Sequence, residues 1–227
     1  MFHTVLIANR GAIACRIIRT LRRMGVRSVA VFSDADAGSL HVAQADEAVR
    51  IGPAPAAESY LDMAAILAAA RATGAQAIHP GYGFLSESAE FAAACEAAGI
   101  AFIGPTADNI TGFGLKHSAR DLARAHGVAL APGTDLLTDQ EAALREAQAI
   151  GYPVILKATA GGGGIGMKIC ARADDVREGF AMVSRLGSGN FGNGGGFLER
   201  YVETARPIEG EGFGDGAGRG VALGERD

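Results

Sequence analysis

Three consecutive segments near the N-terminus constrain this chain most. "TVLIA" (Thr4 to Ala8) is a short apolar run rich in β-branched residues. "AIACRIIRTLRRMG" places Ile13, Ile17, Leu21 and Met24 on one helical stripe that closes at Gly25, and "SVAVF" (Ser28 to Phe32) is β-like again. A strand, a helix and a second strand in that order pack as a parallel pair joined by a right-handed crossover. The alternation continues with a helix over "YLDMAAILAAARATG" and a strand over "AQAIHPG", then a helix over "SESAEFAAACEAAG" capped by Ser86 and a strand over "AFIG". Residues 1–112 therefore predict an open, parallel α/β domain, with ligands expected beyond the carboxyl ends of its strands. "HPGYGFLSE" (His79 to Glu87) lies at one such end. Its Pro80, Gly81 and Gly83 predict a tight turn that either presents Tyr82 to a cleft or simply joins strand to helix.

The second half reads differently. "TADNITGFGLKHSARDLARAHG" is helical with glycine interruptions and carries Lys116, "GVALAPG" is a link, and "DQEAALREAQAIG" is a helix. "YPVILKA" and "GMKIC" are strand-like runs around a glycine loop; "ADDVREGFAMVSRLG" is a helix capped by Asp174 or a neighbour, and "GFLERYVE" (Gly196 to Glu203) a further strand. Together they predict a small α+β lobe. From Gly187 onward the chain turns glycine-rich. Gly210, Gly212 and Gly220 interrupt two prospective strands, each at a cost of roughly 0.5–1 kcal/mol, so this tail is expected to be weakly structured. "VALGERD" ends at Asp227 without a closing helix, which reads as the truncated start of another lobe.

The chemistry concentrates in "KATAGGGGIGMKIC", where Lys157 precedes Gly161, Gly162, Gly163, Gly164 and Gly166. Bare backbone lets consecutive N–H groups converge on an anion, and a cation on the incoming strand adds charge. Gly161, Gly163 and Gly166 match G-x-G-x-x-G, but "GMKIC" does not open a helix as a dinucleotide fingerprint would. A P-loop would place lysine after the glycines, followed by Ser or Thr. What remains is a glycine flap over phosphates with Lys157 beneath it; the alternative is a plain hairpin tip.

The net charge of −4, without any Lys/Arg run, argues against nucleic-acid binding. No apolar stretch approaches the ~20 residues of a membrane span and no basic-then-apolar leader is present, so a cytoplasmic protein is expected. Cys15, Cys95 and Cys170 are far apart and read as reduced core thiols. His3, His41, His79, His117 and His126 are scattered, and no metal site is expected from this chain.

"IANRGAIACRIIR", "HPGYGFLSE", "IGPTADNI", "GYPVILKATAGGGGIGM", "FLERYVE" and "LGERD", in this order and spacing, closely resemble the biotin carboxylase component of biotin-dependent carboxylases, within the ATP-grasp superfamily. The resemblance spans the whole chain and about the first half of that catalytic module. "GLKHSARDLA", "KATAGGGGIGM" and "FGDGAGRGVALGERD" look more like urea carboxylase than the acyl-CoA enzymes, which more often carry G-D-K where this chain reads Gly114-Leu115-Lys116. The fold implied is an open parallel Rossmann-like (pre-ATP-grasp) sheet over 1–112, a linker helix and small α+β ATP-grasp lobe over 113–202, and the truncated start of the large lobe over 203–227.

The resemblance also implies an activity: an ATP-dependent ligase that phosphorylates bicarbonate to carboxyphosphate and carboxylates biotin carried on another domain. Lys116 and Lys157 match the phosphate-contacting lysines, and Gly161 to Gly166 match the flap. Glu199, Arg200, Tyr201 and Val202 match the adenine-holding segment between the lobes. There, a strand edge with free N–H and C=O groups could read a base as it would another strand. Tyr82 and Gly83 match positions lining the biotin pocket. Glu209 falls where the family reads H-I-E-[VI]-Q; this chain has Pro207-Ile208-Glu209-Gly210-Glu211-Gly212, so the proline removes a histidine contact near the ribose and a backbone donor. Mg2+ ligands, the catalytic base region and the bicarbonate-binding arginine are implied beyond Asp227, so no catalytic residue is assigned within this chain, and residues 1–227 alone are expected to be inactive. Implied partners are ATP, bicarbonate, a biotinyl carrier domain, a carboxyltransferase domain and a second copy in a homodimer. Acyl-CoA or pyruvate carboxylases, another ATP-grasp ligase, and an inactive nucleotide-binding scaffold are the competing readings.

Overall fold

The structure, a computed structural model, describes residues 1–159, 166–191, 194–215 and 218–227. The chain divides into two compact units, residues 1–122 and 123–227.

The first unit runs β1 (Thr4–Ile7), α1 (Gly11–Arg23), β2 (Arg27–Ser33), a 3-10 turn at Asp34–Asp36, α2 (Leu40–Gln44), β3 (Glu47–Gly52), α3 (Met63–Ala72), β4 (Ala77–His79), α4 (Ala89–Ala97), β5 (Ala101–Phe102) and α5 (Ala107–Gly114); α6 (Lys116–Ala125) crosses its boundary. The strands form one sheet in the order β3-β2-β1-β4-β5, every pair parallel. Successive side chains of a strand alternate between faces. Leu6, Val29, Val31 and Ile78 thus join Phe91, Ile66 and Cys95 in one apolar layer, while Val5, Ile7 and Ala77 join Ile17, Ile18 and Leu21 in the other. Both faces are covered, which is why the strands read as continuous apolar runs.

Three local expectations are corrected. The inward face of α1 is Ala14, Cys15, Ile17, Ile18 and Leu21, and Met24, one residue past the last helical turn, is 53% exposed. The cap of α4 is Ser88, whose hydroxyl accepts from Phe91 N at 3.1 Å; Ser86 instead donates its own N–H to Gly83 O within the preceding turn. And β3 was not anticipated. It is an edge strand carrying Glu47, paired with Arg27, and Arg50, paired with Asp34 at 2.6 Å, and such charges mask the β pattern while they blunt the edge.

The second unit contains α7 (Gln140–Ile150), β6 (Val154–Ala158), β7 (Met167–Cys170), α8 (Ala173–Phe191), β8 (Gly196–Arg200), β9 (Glu209–Gly214) and β10 (Gly220–Arg226). β6 is central in an antiparallel sheet of order β7-β6-β8. Val154, Leu156 and Cys170 of that sheet pack with Ala143 and Ala147 of α7 and Val176 and Val183 of α8. Helix α8 starts where the Asp175 carboxylate accepts from Ala171 N and Arg172 N at 2.8 and 3.1 Å, and it continues past Gly187 to Phe191. β8 stops at Arg200, three residues short of the predicted end, after which Tyr201 N turns to donate to Pro153 O.

β9 and β10 pair antiparallel despite their glycines, with a register shift between Ala222 and Gly224. Every described residue of this hairpin is exposed. Arg226 holds it from the side through ion pairs to Glu209 and Glu211, contacts that the strand propensities alone did not reveal.

Candidate functional site: a lysine-glutamate pair on the lobe sheet and a pinned loop at the sheet reversal

Strand β6 alternates buried and half-buried residues, so Val154, Leu156 and Ala158 face the helices while Lys157 sits on the opposite face. Lys157 lies across from Phe197, and Glu199 across from Ile155, in the β6–β8 register. The two charged residues are therefore diagonal neighbours on one face, close enough for long side chains to meet. They do: the Lys157 ammonium donates to Glu199 Oε2, with side chains 23% and 15% exposed. A half-buried ammonium at the end of a strand that leads into the glycine run is chemically suited to an anionic oxygen.

Of the glycine flap, Gly161, Gly162, Gly163 and Gly164 lie outside the described residues. Gly166 is described, and it closes the β6–β7 pairing: its carbonyl accepts from Ala158 N at 2.7 Å, and a Cβ there would stand 2.8 Å from Ala158 Cβ. Only glycine lets the two strands approach so closely at that point.

The strand edge expected to read a base is partly occupied. Residues 132–137 run along β8, with Thr134 N donating to Leu198 O (2.9 Å), Leu198 N to Thr134 Oγ1 (3.0 Å), Leu137 N to Gly196 O (2.8 Å) and Arg200 N to Pro132 O (2.8 Å). A strand edge whose amides are already satisfied does not recognise a further strand or base. Past Arg200 the Tyr201 amide is also taken, by Pro153 O, and Val202 is 56% exposed. Glu209 lies in the exposed hairpin paired with Arg226. Lys116, half-buried, is the first residue of α6 and belongs to the first unit.

In the first unit the strand order reverses between β1 and β4, since β2 and β3 extend the sheet to one side and β5 to the other. Open α/β sheets bind ligands at such a reversal. "HPGYGFLSE" leaves β4 there, facing the Asn9-Arg10 step that leaves β1. Asn9 is 3% exposed, donates from Nδ2 to Pro80 O at 2.7 Å and to Tyr82 O at 2.8 Å, and accepts from Arg10 N at 2.9 Å. Tyr82 is 68% exposed although its carbonyl is pinned. Gly81 and Gly83 are both left-handed, at φ +66° and +68°.

Sequence reasoning missed the residues behind this loop. Arg10 forms a two-point pair with Asp36, whose side chain is 5% exposed. The Tyr60 hydroxyl donates to Asp36 at 2.7 Å and accepts from Ser33 N at 3.1 Å. The hydrogen-bonded Arg10 guanidinium holds the Asp36 carboxyl well below its usual range, against the opposing effect of burial. Burial, aided by Asp36, raises the Tyr60 phenol. The one signal in the sequence was a polar Asn-Arg pair ending a buried strand. Burial also pushes the Cys95 and Cys170 thiols up to about 11, as befits inert core cysteines.

Among the described residues no group of three or more His, Cys, Asp or Glu is placed to hold a metal ion, and no helix is long and apolar enough to cross a membrane.

Comparison with known proteins bears on both units. Residues 1–110 match the family "Biotin carboxylase, N-terminal domain" and residues 116–227 match "Carbamoyl-phosphate synthase L chain, ATP binding domain". The urea amidolyase of Saccharomyces cerevisiae is 53% identical over 227 residues, 100% of this chain and 12% of that protein. Among solved structures, a biotin carboxylase-β,γ-ATP complex from Campylobacter jejuni superposes with a TM-score of 0.96 at 41% identity, covering 99% of this chain and 51% of that one. The biotin carboxylase domain dimer of Hydrogenobacter thermophilus 2-oxoglutarate carboxylase, in complex with MgADP, ADP and bicarbonate, gives a TM-score of 0.94 at 43% identity, covering 99% and 50%. The chain thus spans about an eighth of the yeast relative and about half of either solved chain. With a biotin carboxylase N-terminal sheet followed by an ATP-binding lobe along its length, the chain belongs to the biotin carboxylase family.

Proposed function

We propose that this chain is the nucleotide-binding portion of a urea carboxylase, contributing to ATP-dependent carboxylation of biotin with bicarbonate. The observation that carries the reading is the half-buried Lys157 ammonium on the face of the small sheet opposite its helices, just before the glycine run in sequence and already matched to a carboxylate. Such a site fits a polyphosphate: the lysine supplies a compact charge, and backbone N–H groups of a glycine segment supply donors. Bound ATP would supply the phosphoryl group that activates bicarbonate. Lys157 binds and neutralises phosphate oxygens, Glu199 orients that lysine, and the Tyr201 carbonyl and the Val202 backbone lie beyond the covered edge of β8. Lys116 and Gly161 to Gly164 are the further residues that the family resemblance assigns to phosphate. Tyr82 and Gly83 would meet biotin at the sheet reversal.

Magnesium is not fitted by the described residues, so this reading assigns its ligands to chain outside them. It also requires a biotinyl carrier domain and a carboxyltransferase domain as partners, operation in the cytoplasm, and a homodimer of the kind reported for the Hydrogenobacter relative. Resemblance in sequence to urea amidolyase supports urea as the final carboxyl acceptor.

The test uses the full-length protein. Bicarbonate-dependent ATP cleavage should rise with biotin and urea and stay at baseline with acetyl-CoA or propionyl-CoA. Lys157→Ala should lower nucleotide affinity by the ~1.5–3 kcal/mol of a charge-assisted contact. Unchanged affinity in that variant would remove the lysine from the site, and an acyl-CoA preference would overturn the acceptor while leaving biotin carboxylation in place.

A further inference from the structure

Phe84 is the one non-glycine residue with positive φ among the described residues, at +44°, and it is 37% exposed. Neither property follows from filling a core. Its ring lies on that of Tyr60, with centroids 5.1 Å apart and planes 21° from parallel. Tyr60 is 2% exposed and cannot shift freely: its hydroxyl is held between the Asp36 carboxylate and Ser33 N. Asp36 is fixed in turn by Arg10 and by the hydroxyls of Ser33 and Ser39 at 3.3 and 3.2 Å. A left-handed aromatic residue persists only where its surroundings over-determine it. Here the determinant is a buried polar network ending in one flat ring.

That network touches the loop at a telling place. Phe84 directly follows Gly83 and is two residues from Tyr82, and Asn9 clamps the Tyr82 carbonyl from the strand side. The exposed Tyr82 side chain is thus carried on a backbone fastened at both ends, by an amide before it and by a stacked ring after it.

We infer that Tyr60, anchored by Asp36, is a positioning residue that sets the geometry of the Tyr82–Gly83 segment toward biotin by stacking on Phe84. The inference rests on the reading of Tyr82 and Gly83 as the biotin-facing segment. It predicts that loosening the stack weakens use of biotin while leaving nucleotide use intact.

Two measurements on the full-length protein decide it. In amide hydrogen exchange, Phe84→Ala should accelerate Ser86 and Ser88, which donate to Gly83 O and Leu85 O, about tenfold or more, while Ala8, bonded to His79 O in the sheet, stays within about twofold. In kinetics with free biotin, Phe84→Ala and Tyr60→Phe should raise the KM for biotin about fivefold or more with the KM for ATP within about twofold. Phe84→Tyr, which keeps the stack, should restore both readouts. Unchanged exchange at Ser86 and Ser88, acceleration of Ala8 alongside them, or parallel rises in both KM values would overturn the inference. If the wild type shows no biotin-dependent ATP cleavage, the proposed function fails, and exchange alone then decides whether Tyr60 positions the loop.

Discussion

Gly81 and Gly83 offer a matched pair of perturbations two residues apart. Both are left-handed, so an alanine at either incurs the roughly 1–2 kcal/mol cost of an L-residue in that region, less the ~0.4–1 kcal/mol that alanine recovers by restricting the unfolded chain. At Gly83 nothing lies within 4 Å of the new Cβ, so the net cost should be about 0–1.6 kcal/mol. At Gly81 the Cβ would stand 2.8 Å from Asn9 Nδ2 and 3.2 Å from both Asn9 Cγ and Ile13 Cγ1. Asn9 has no room to yield, because the same nitrogen holds Pro80 O and Tyr82 O. Displacing it breaks one or two buried hydrogen bonds at about 1–3 kcal/mol each, so Gly81→Ala should cost about 1–6 kcal/mol more than Gly83→Ala. With m near 1–3 kcal/mol/M, every 1–3 kcal/mol by which Gly81→Ala exceeds Gly83→Ala should appear as about 1 M of additional fall in the urea midpoint. Circular dichroism of urea-unfolded protein measures both. In the background of Asn9→Ala the Gly81 penalty should shrink toward that of Gly83, since the clash and its partner are removed together. Equal midpoint shifts for the two glycines would refute the claim that Asn9 pins this turn.

Three further outcomes are expected. His41 is fully buried with its Nε2 bonded to Val31 O, and burial lowers its pKa below 6.5, outweighing the weaker opposing pull of Val31 and Asp36; burial lowers His79 too. The unfolded chain then binds protons more readily than the folded one, so stability is full above pH 6.5 and falls as pH drops through that value, and a urea midpoint flat from pH 7.5 to 5.5 would contradict this. Glu199→Ala strands a half-buried ammonium and should destabilise the lobe by about 1–3 kcal/mol, read from thermal unfolding, whereas Glu199→Gln keeps a hydrogen-bond acceptor and should cost less. Cys95 and Cys170, buried with thiols held near 11, should resist a thiol reagent at pH 8 until denaturant is added; labelling at the rate of a free thiol in the folded state would show the core to be open there.

Much of this architecture is written in nearest-neighbour order. The alternation of β-branched runs with amphipathic helical stripes determined the parallel sheet of the first unit, because each such run can bury its apolar residues in only one secondary structure. The glycine run after Lys157 marked the anion-binding candidate for an equally local reason, since a bare backbone announces itself residue by residue. Cap and edge details were harder. Ser86 and Ser88 are both plausible caps, and which hydroxyl reaches an amide depends on the left-handed turn before them. The β3 edge strand escaped because its charged residues serve pairing partners on β2 and in the 3-10 turn rather than an apolar face.

Only the tertiary structure decided which distant groups meet. Asn9 and Tyr82 are 73 residues apart, and Lys157 and Glu199 are 42 apart; each pair is joined by strand register, which a chain acquires only after its topology has formed. Residues 132–137 cover the β8 edge in the same way, through amides of Thr134, Leu137 and Arg200 that only the folded chain brings together with their acceptors. Amphipathic period is a property of consecutive residues and survives in the sequence alone. A hydrogen bond across a sheet depends on how strands are ordered and staggered, so Arg10, Asp36 and Tyr60 become a network only in the folded molecule.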